Sequence, residues 1–417
     1  MGKKCLVFDL DDTLVMTGAA RPYMRTRKGR EVVTEEIGNI ETRLRSKGIA
    51  EIYNSYEREG RAVVITNSPT DYAEAVMRKH GLRVGRILGS AGKPLTDNTR
   101  GFLNQNIGNG PEEYLFVEDS AGGILVANSL GIASVGVDGG YSTEEQMMMA
   151  GAQRVVKSIG ELEQAIKDFE KGEILYEKRD VERGTERMTK EEVIKARNEI
   201  SRNEVILTSA TTYTPYSRDK EISEESQWIL DIKAGRDMTF EEMVEGGTRD
   251  YYAGGRVRKG KKVIESFNNL RSMVVRRISE LGIKGKVLIV AAPNSLPEFC
   301  YRCDMNHSLA YNVRNDLMKQ EGEEAREKYF WGDDRIVKRI LPTEAAHSGG
   351  MRTSEKHYRT IGVRKLLKDP REVENVIIFD DVTTTGTQIE SIARIMEKLG
   401  LEEAKFYGVT IGRTADR

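Results

Sequence analysis

Cysteine is scarce in this chain. Three thiols in 417 residues, Cys5, Cys300 and Cys303, cannot build a disulfide framework, and the expected compartment is the reducing cytoplasm. Long apolar runs are missing too. No stretch approaches the roughly 18–20 residues needed to cross a bilayer, which excludes helical membrane spans, and no membrane partner is expected of a chain whose charges balance. The N-terminal apolar stretch meets acids within a few residues, so it does not read as a secretory signal. Net charge is nearly absent: 65 basic against 66 acidic residues leave −1. No global field therefore draws the chain to nucleic acid, which is not the favoured partner, although a local basic groove is compatible with that balance. The chain carries no internal repeat. What it does carry is 31% charged and 38% hydrophobic residues, a globular mixture long enough for two or three domains.

Short apolar runs at 5–8, 62–66, 84–88, 114–117 and 133–137 alternate with helical patterns at 49–56, 72–79 and 122–130. Runs of four to six residues suit buried parallel strands, and the βαβα rhythm predicts a doubly wound α/β domain. Gly131 is placed as a C-terminal helix cap. The texture repeats in the second half, with strands expected at 286–292, 375–379 and 405–411. The fold class is thus α/β, with two Rossmann-like parallel sheets. The boundaries expected are 1–168 for the first domain, 169–200 for a charged linker rich in Glu, Lys and Arg, and 201–417 for the second domain. The region 235–262, rich in Gly, Lys and Arg, reads as loop plus short elements.

The first chemical cluster follows strand 5–8. Asp9-Leu10-Asp11-Asp12-Thr13 stands at the strand's C-terminal edge, where open α/β sheets bind ligands. Two carboxylates one residue apart repel unless a cation such as Mg²⁺ lies between them; an acidic turn with Asp12 or Thr13 capping a helix is the plainer reading. Later strands end in Thr66-Asn67-Ser68 and in Glu118-Asp119, and Lys93 stands on a glycine turn between them. This order of acid pair, Thr, Lys and acid pair resembles the four motifs of the haloacid dehalogenase (HAD) superfamily of phosphatases over about the first 165 residues. The resemblance implies that Asp9 is the nucleophile, that Asp11 is the general acid and base, and that Thr66 and Lys93 hold the phosphoryl group. It implies a Mg²⁺ site from Asp9, Asp11, Glu118 and Asp119. Many members have a further acid four residues after the Asp119 position; here that residue is Gly123, and Glu118 is expected to compensate. The gaps between motifs leave room for at most a small cap, around 21–48, which suits a bulky substrate or a site covered by the second domain.

The second cluster is Val376-Ile377-Ile378-Phe379-Asp380-Asp381-Val382-Thr383-Thr384-Thr385-Gly386-Thr387-Gln388. An apolar strand meets two acids, then small hydroxyl residues around a glycine, then a helix. Backbone N–H groups of such a loop can wrap an anion, and the acids can accept from sugar hydroxyls. The string resembles the phosphoribosyl pyrophosphate (PRPP) motif of type I phosphoribosyltransferases. That implies ribose contacts from Asp380 and Asp381 and a 5′-phosphate cradle from Thr383, Thr384, Thr385, Gly386 and Thr387. The loop 293–295 resembles the pyrophosphate loop and 347–359 the mobile loop of that family, with Arg352, Lys356, His357 and Arg359 as candidate contacts; a solvated surface loop is the alternative for 347–359. The segments 213–216 and 228–236 are similar to its competence protein F-like branch.

Together these features imply a bifunctional Mg²⁺-dependent enzyme. It would join a small nucleobase-like or amine acceptor to PRPP, then remove the phosphate from the phosphorylated small molecule formed. Two alternatives stay open: a phosphatase for nucleic-acid ends or another large phosphoester regulated by PRPP or nucleotide, and a second domain that binds PRPP without transferring it. A homo-oligomer is compatible with either. Cys300-Tyr301-Arg302-Cys303 with His307 lacks a fourth ligand for zinc and reads mainly as packing. His80 stands at a helix C-terminus, where a cation is favoured, and reads as structural. The basic run 256–262 reads as a solvated loop, with a phosphate or nucleic-acid contact as the alternative.

Overall fold

The computed structural model describes residues 4–24, 27–106, 110–178, 188–189, 191–193, 204–213, 223–246, 248, 250–253, 255–260, 262–322, 325–330, 336–343, 353–364, 369–383 and 385–414. Its contacts divide the chain into two units, Met1–Val181 with Asp250–Lys259, and Glu182–Arg249 with Gly260–Arg417. Among the described residues no helix is long and apolar enough to cross a membrane.

In chain order the first unit has strands β1 (Cys5–Phe8), β2 (Val15–Met16), β3 (Arg43–Leu44), β4 (Ala62–Ile65), β5 (Arg86–Leu88), β6 (Tyr114–Glu118), β7 (Ala133–Val137) and β8 (Arg154–Val156). Six of them form one sheet in the order β5-β4-β1-β6-β7-β8, and every neighbouring pair is parallel. The period of two sends Leu6 and Phe8 into one apolar cluster and Cys5 and Val7 into the other, so β1 is buried on both faces. Helices α1 (Arg21–Met24), α2 (Arg27–Glu35), α3 (Lys47–Arg58), α4 (Thr70–Lys79), α5 (Asp97–Asn106), α6 (Ala121–Leu130), α7 (Glu144–Ala150) and α8 (Ile159–Lys171) fill the connections. α3, α4 and α8 feed the first cluster, α5 and α6 the second. α6 ends at Gly131 in the left-handed region, φ 74°, as its cap position requires. The antiparallel ribbon β2–β3 frames α1 and α2, so the segment where a small cap was expected holds two short helices.

The expected linker begins inside α8. Phe169 and Ile174 lie in the first unit's core, and the Tyr176 hydroxyl donates to the Asn128 carbonyl at 2.9 Å. Val193 is buried in a core cluster of the second unit. Apolar side chains spaced among the charges thus anchor both ends. The rest of 179–200 lies largely outside the described residues. The hairpin of β10 (Tyr251–Ala253) and β11 (Arg256–Arg258) counts with the first unit, where the Tyr252 ring stacks on Tyr23 at 5.2 Å and 26°.

The second unit holds β9 (Ile206–Tyr213), β12 (Val287–Ala291), β13 (Tyr329–Phe330), β14 (Val337–Arg339), β15 (Ile361–Val363), β16 (Asn375–Thr383) and β17 (Lys405–Thr414). Five make a sheet in the order β13-β12-β16-β17-β9, parallel throughout. β16 shows the same two-sided burial, with Ile377 and Phe379 in one cluster and Val376 and Ile378 in the other. β14 and β15 form a separate antiparallel ribbon. β16 is longer than the expected 375–379: it continues through both acids to Thr383, paired to Arg413 of β17, because β17 and β9 also run on. Asp380 and Asp381 therefore sit in the strand, which ends only at Thr383.

Candidate functional sites in the two units

At the C-terminal edge of the first sheet, Asp9 leaves β1 with its backbone N–H bonded to the Val117 carbonyl at 3.1 Å. Glu118 ends β6 and Asp119 follows it. One carboxylate oxygen from each of Asp9, Glu118 and Asp119 lies within 4.8 Å of the others, and all three residues are buried. The Lys93 ammonium enters the group, 2.7 Å from Asp9 Oδ1 and 2.6 Å from Glu118 Oε2. Burial and the Glu118 charge raise Asp9 well above the carboxylate range. The same two causes raise Asp119 to about 7. Burial pulls the Lys93 ammonium down, but Asp9 and Glu118 outweigh it and hold its pKa above the usual lysine value. With all three acids ionised against one ammonium, two negative charges would stand in excess, and the raised pKa values of Asp9 and Asp119 are the response to that crowding. Hard oxygens with that deficit fit a divalent cation such as Mg²⁺.

The Glu118 carboxylate is held at the start of α6, where the Ser120 hydroxyl donates to Oε1 at 3.0 Å. It fills the space a side chain at position 123 would need, since a Cβ there would meet Glu118 Oε2 at 1.8 Å. The expected compensation by Glu118 thus has a steric counterpart. Asp119 is fixed by the Thr13 hydroxyl at 3.1 Å and the Tyr141 N–H at 2.7 Å.

Asp11 is not brought into that group. Its carboxylate accepts from Thr17 Oγ1 at 2.8 Å, Ser68 Oγ at 2.6 Å, Thr66 Oγ1 at 3.3 Å and the Tyr72 hydroxyl at 3.3 Å. Burial and the Asp11 charge raise the Tyr72 phenol far above its usual pKa. Thr17 and Tyr72 escaped the sequence reading. Thr17 lies between motifs, and Tyr72 reads as one more apolar residue on a helix face. Thr66 touches Asp11 and Lys93 touches two acids, so both expected phosphoryl-holding residues line one cavity of about 230 Å³ with Asp9, Asp11 and Asp119. That is at the small end for a ligand pocket.

In the second unit Asp380 and Asp381 are buried, 8% and 9% exposed. Asp381 accepts from the Arg236 guanidinium at 2.6 Å and has Lys233 Nζ at 3.5 Å. Burial tends to raise its pKa, but these two cations outweigh it and hold the carboxyl below the usual range. Burial and the Asp381 charge push Asp380 up to about 8. Of the hydroxyl loop, Thr384 lies outside the described residues. Thr383 Oγ1 accepts from the Gly386 N–H at 2.8 Å, and Thr385 and Thr387 share a hydrogen bond of 2.8 Å. Gly386 caps the helix Thr387–Met396 at φ 77°, the region glycine enters without strain. Thr383, Thr385 and Gly386 border a cavity of about 190 Å³ that Arg277 and Arg413 also line.

A clamp joins this loop to the expected pyrophosphate loop. Gln388 donates to the Pro293 carbonyl at 2.8 Å and accepts from Arg339 at 3.4 Å. Arg339 also donates to the Asn294 carbonyl at 2.9 Å and to Thr360 Oγ1 at 2.5 Å. It is 3% exposed, and burial lowers its pKa to about 10. Neither Gln388 nor Arg339 had an assigned role in the sequence reading. Of the expected mobile loop, 347–352 lies outside the described residues; Lys356, His357 and Arg359 belong to the helix Ser354–Thr360. Residues 214–216 are likewise outside.

The minor candidates resolve simply. Cys300 is buried, which pushes its thiol up to about 12, and among the described residues the metal-compatible group is Asp9, Glu118 and Asp119. His80 is the C-cap of α4 and bonds Thr42 Oγ1 at 2.7 Å, at the helix end where the sequence places it; burial and Lys79 lower its pKa.

No family model and no curated protein matches the chain. Among solved structures it is similar to a HAD family hydrolase from Deinococcus radiodurans R1, at 18% identity over 40% of this chain and 96% of that one, with a TM-score of 0.33. A putative beta-phosphoglucomutase from Thermotoga maritima gives 18% over 40% and 99%, with a TM-score of 0.33. CbbY from Rhodobacter sphaeroides, solved in complex with phosphate, gives 21% over 38% and 96%, with a TM-score of 0.34. At scores of this size the likeness decides nothing about chemistry.

Proposed function

We propose that the first unit is a HAD-type, Mg²⁺-dependent phosphomonoesterase and that the second is a phosphoribosyltransferase supplying its substrate. The observation that carries the phosphatase half is the buried group of Asp9, Glu118, Asp119 and Lys93 at the exit edge of a parallel sheet, beside a hydroxyl-caged Asp11. Asp9 attacks phosphorus, forming an aspartyl phosphate as the ester oxygen leaves. Asp11, oriented by Thr17, Thr66, Ser68 and Tyr72, gives that oxygen its proton and then takes one from the water that hydrolyses the acyl phosphate. Lys93 opposes the charge on the phosphoryl oxygens. A cation held by Asp9, Glu118 and Asp119 would add positive charge there.

The transferase half is supported by the acid pair, the hydroxyl loop at a helix N-terminus and the clamp to residues 293–294. Asp380 and Asp381 would accept from ribose hydroxyls, and Thr383–Thr387 would hold the 5′-phosphate. The C1–pyrophosphate bond breaks, a C1–N bond to the acceptor forms, and pyrophosphate leaves. Hydrolysing the product's phosphate then draws a reversible transfer forward. Arg236, already paired with Asp381, would have to share that carboxylate with a ribose hydroxyl, which bears on PRPP binding as much as on transfer.

Purified protein given Mg²⁺, labelled PRPP and candidate bases should release pyrophosphate and then orthophosphate. Asp9→Asn should stop at the phosphorylated product. A wild-type product that keeps its phosphate sinks the coupling, and PRPP binding in calorimetry without turnover of any base leaves the binding-only reading. Chelation of divalent cations should stop phosphate release.

A further inference from the structure

The loop after β12 has its carbonyls engaged and its N–H groups left over. The Pro293 carbonyl accepts from Gln388 Nε2 at 2.8 Å, the Asn294 carbonyl from Arg339 Nε at 2.9 Å, and the Ser295 carbonyl from the Thr343 N–H at 2.8 Å. Proline has no N–H to give. The N–H groups of Asn294 and Ser295 meet no acceptor among the described residues. Asn294 is 7% exposed, and a buried N–H without an acceptor is rare in a folded chain.

The two pinned carbonyls decide where those N–H groups point. Both peptide bonds are trans, so each N–H lies opposite the carbonyl of the residue before it. Gln388 and Arg339 hold the carbonyls of Pro293 and Asn294, and they are themselves joined at 3.4 Å. The sense of the Gln388 amide is fixed, because a carbonyl can only accept and a guanidinium can only donate. Both carbonyls are thus drawn to one pair of joined side chains, and the Asn294 and Ser295 N–H groups are turned away from that pair together. Two successive N–H groups facing one way make a seat for an anion.

The charge behind the loop favours the same ligand. Arg339 is buried, and its hydrogen-bond partners among the described residues are neutral: the Asn294 carbonyl, Thr360 Oγ1, Gln388 Oε1 and His357 Nδ1. A buried cation without a carboxylate leaves positive potential at the loop. The loop also starts beside Asp380, since Asn306 Nδ2 lies 3.4 Å from the Ala292 carbonyl oxygen and 3.5 Å from Asp380 Oδ1. An anion seated there neighbours the carboxylate assigned to the ribose, as a pyrophosphate joined to that ribose does.

Resting on the transferase reading, we propose that Gln388 and Arg339 are positioning residues that turn the Asn294 and Ser295 N–H groups towards the pyrophosphate of PRPP. Gln388 acts through the Pro293 carbonyl and Arg339 through the Asn294 carbonyl. Because Gln388 directly follows Thr387, the grip on the pyrophosphate end is set from the loop assigned to the 5′-phosphate.

The test titrates pyrophosphate and ribose 5-phosphate, separately and with Mg²⁺, into the full chain in calorimetry. An Asp9→Asn background keeps the first unit from hydrolysing the probes. Any probe held by the first unit is common to all variants, so differences between them report the second unit. Gln388→Met keeps the side chain's size and drops both hydrogen bonds. It should weaken pyrophosphate binding about 10- to 100-fold, the range for hydrogen bonds to a charged group, and leave ribose 5-phosphate nearly unchanged. Arg339→Lys keeps the charge and loses the planar fork, and its loss for pyrophosphate should be smaller. A merely structural role would weaken both ligands alike. Unchanged pyrophosphate affinity in Gln388→Met, or an equal loss for both ligands, would overturn the proposal and leave the transferase reading standing. A chain that binds neither ligand overturns both.

Discussion

The carboxylate of Glu118 stands where a side chain on residue 123 would have to go. A Cβ on Gly123 would lie 1.8 Å from Glu118 Oε2 and 2.1 Å from its Cδ, so position 123 and the acid at 118 compete for one volume. An acid at either place would face Asp9 and Lys93.

Gly123→Asp should therefore displace Glu118, and the new acid should disturb the group rather than strengthen it. Phosphatase activity should fall about 10- to 100-fold, the range found when groups around a metal are altered. Glu118→Ala should raise the Mg²⁺ concentration needed for half-maximal activity. The double variant Glu118→Ala/Gly123→Asp should recover activity over Gly123→Asp alone, because the space is then vacant. Mg²⁺ titration of phosphate release checks all three, and a double variant no better than either single one rejects the shared volume.

The core of the first unit should respond to Phe8→Ala. Phe8 is fully buried and meets Tyr53 edge-on, with ring centroids 5.7 Å apart at 86°. Truncation should cost about 3–5 kcal/mol in urea unfolding. Tyr53→Phe should cost about 1 kcal/mol, through loss of the hydroxyl bond to the Arg83 carbonyl at 3.0 Å.

In the second unit, Arg236→Ala should leave Asp381 beside Asp380 with its nearest cation removed. Breaking one side of a buried ion pair costs about 3–5 kcal/mol. Asp381→Asn in the same chain should recover part of that loss, and the coupling energy from the two single variants and the double one measures it. A coupling near zero would show that Lys233, 3.5 Å from Asp381, suffices alone.

His357 should make stability depend on acid. Burial, with help from Arg339, lowers its pKa from 6.5 to about 3. Between those values the unfolded chain binds more protons than the folded one. The contribution is complete above about pH 6.5 and is lost as pH falls towards 3, with a slope of at most about 1.4 kcal/mol per pH unit. Unfolding of wild type and His357→Asn at pH 7 and pH 4.5 isolates it. The wild type should lose more between the two pH values, and equal losses would refute the assignment.

The local patterns were legible beforehand. The apolar runs became β1, β4, β6, β7, β12, β16 and β17, because burial on both faces leaves a continuous hydrophobic signature that needs no knowledge of neighbours. Asp9 and Asp119 met because both follow strands that are adjacent in the sheet. The extension of β16 through Asp381 was not legible, since it depends on how far β17 and β9 run beside it. Nor were Thr17 and Tyr72 beside Asp11, since neither belongs to the stretch that supplies Thr66 and Ser68.

Sequence alone determined the two α/β sheets, the acids at their exit edges and the hydroxyl-rich turn after Asp381. Each of these is written in residues adjacent along the chain, where alternation and turn chemistry act directly. Tertiary structure decided that Glu118 takes the space at Gly123, that Gln388 and Arg339 tie the second site's loops together, and that the hairpin Tyr251–Arg258 packs with the first unit. Those relationships join residues from 5 to more than 200 positions apart, and they are set by which surfaces close on one another when the core excludes water.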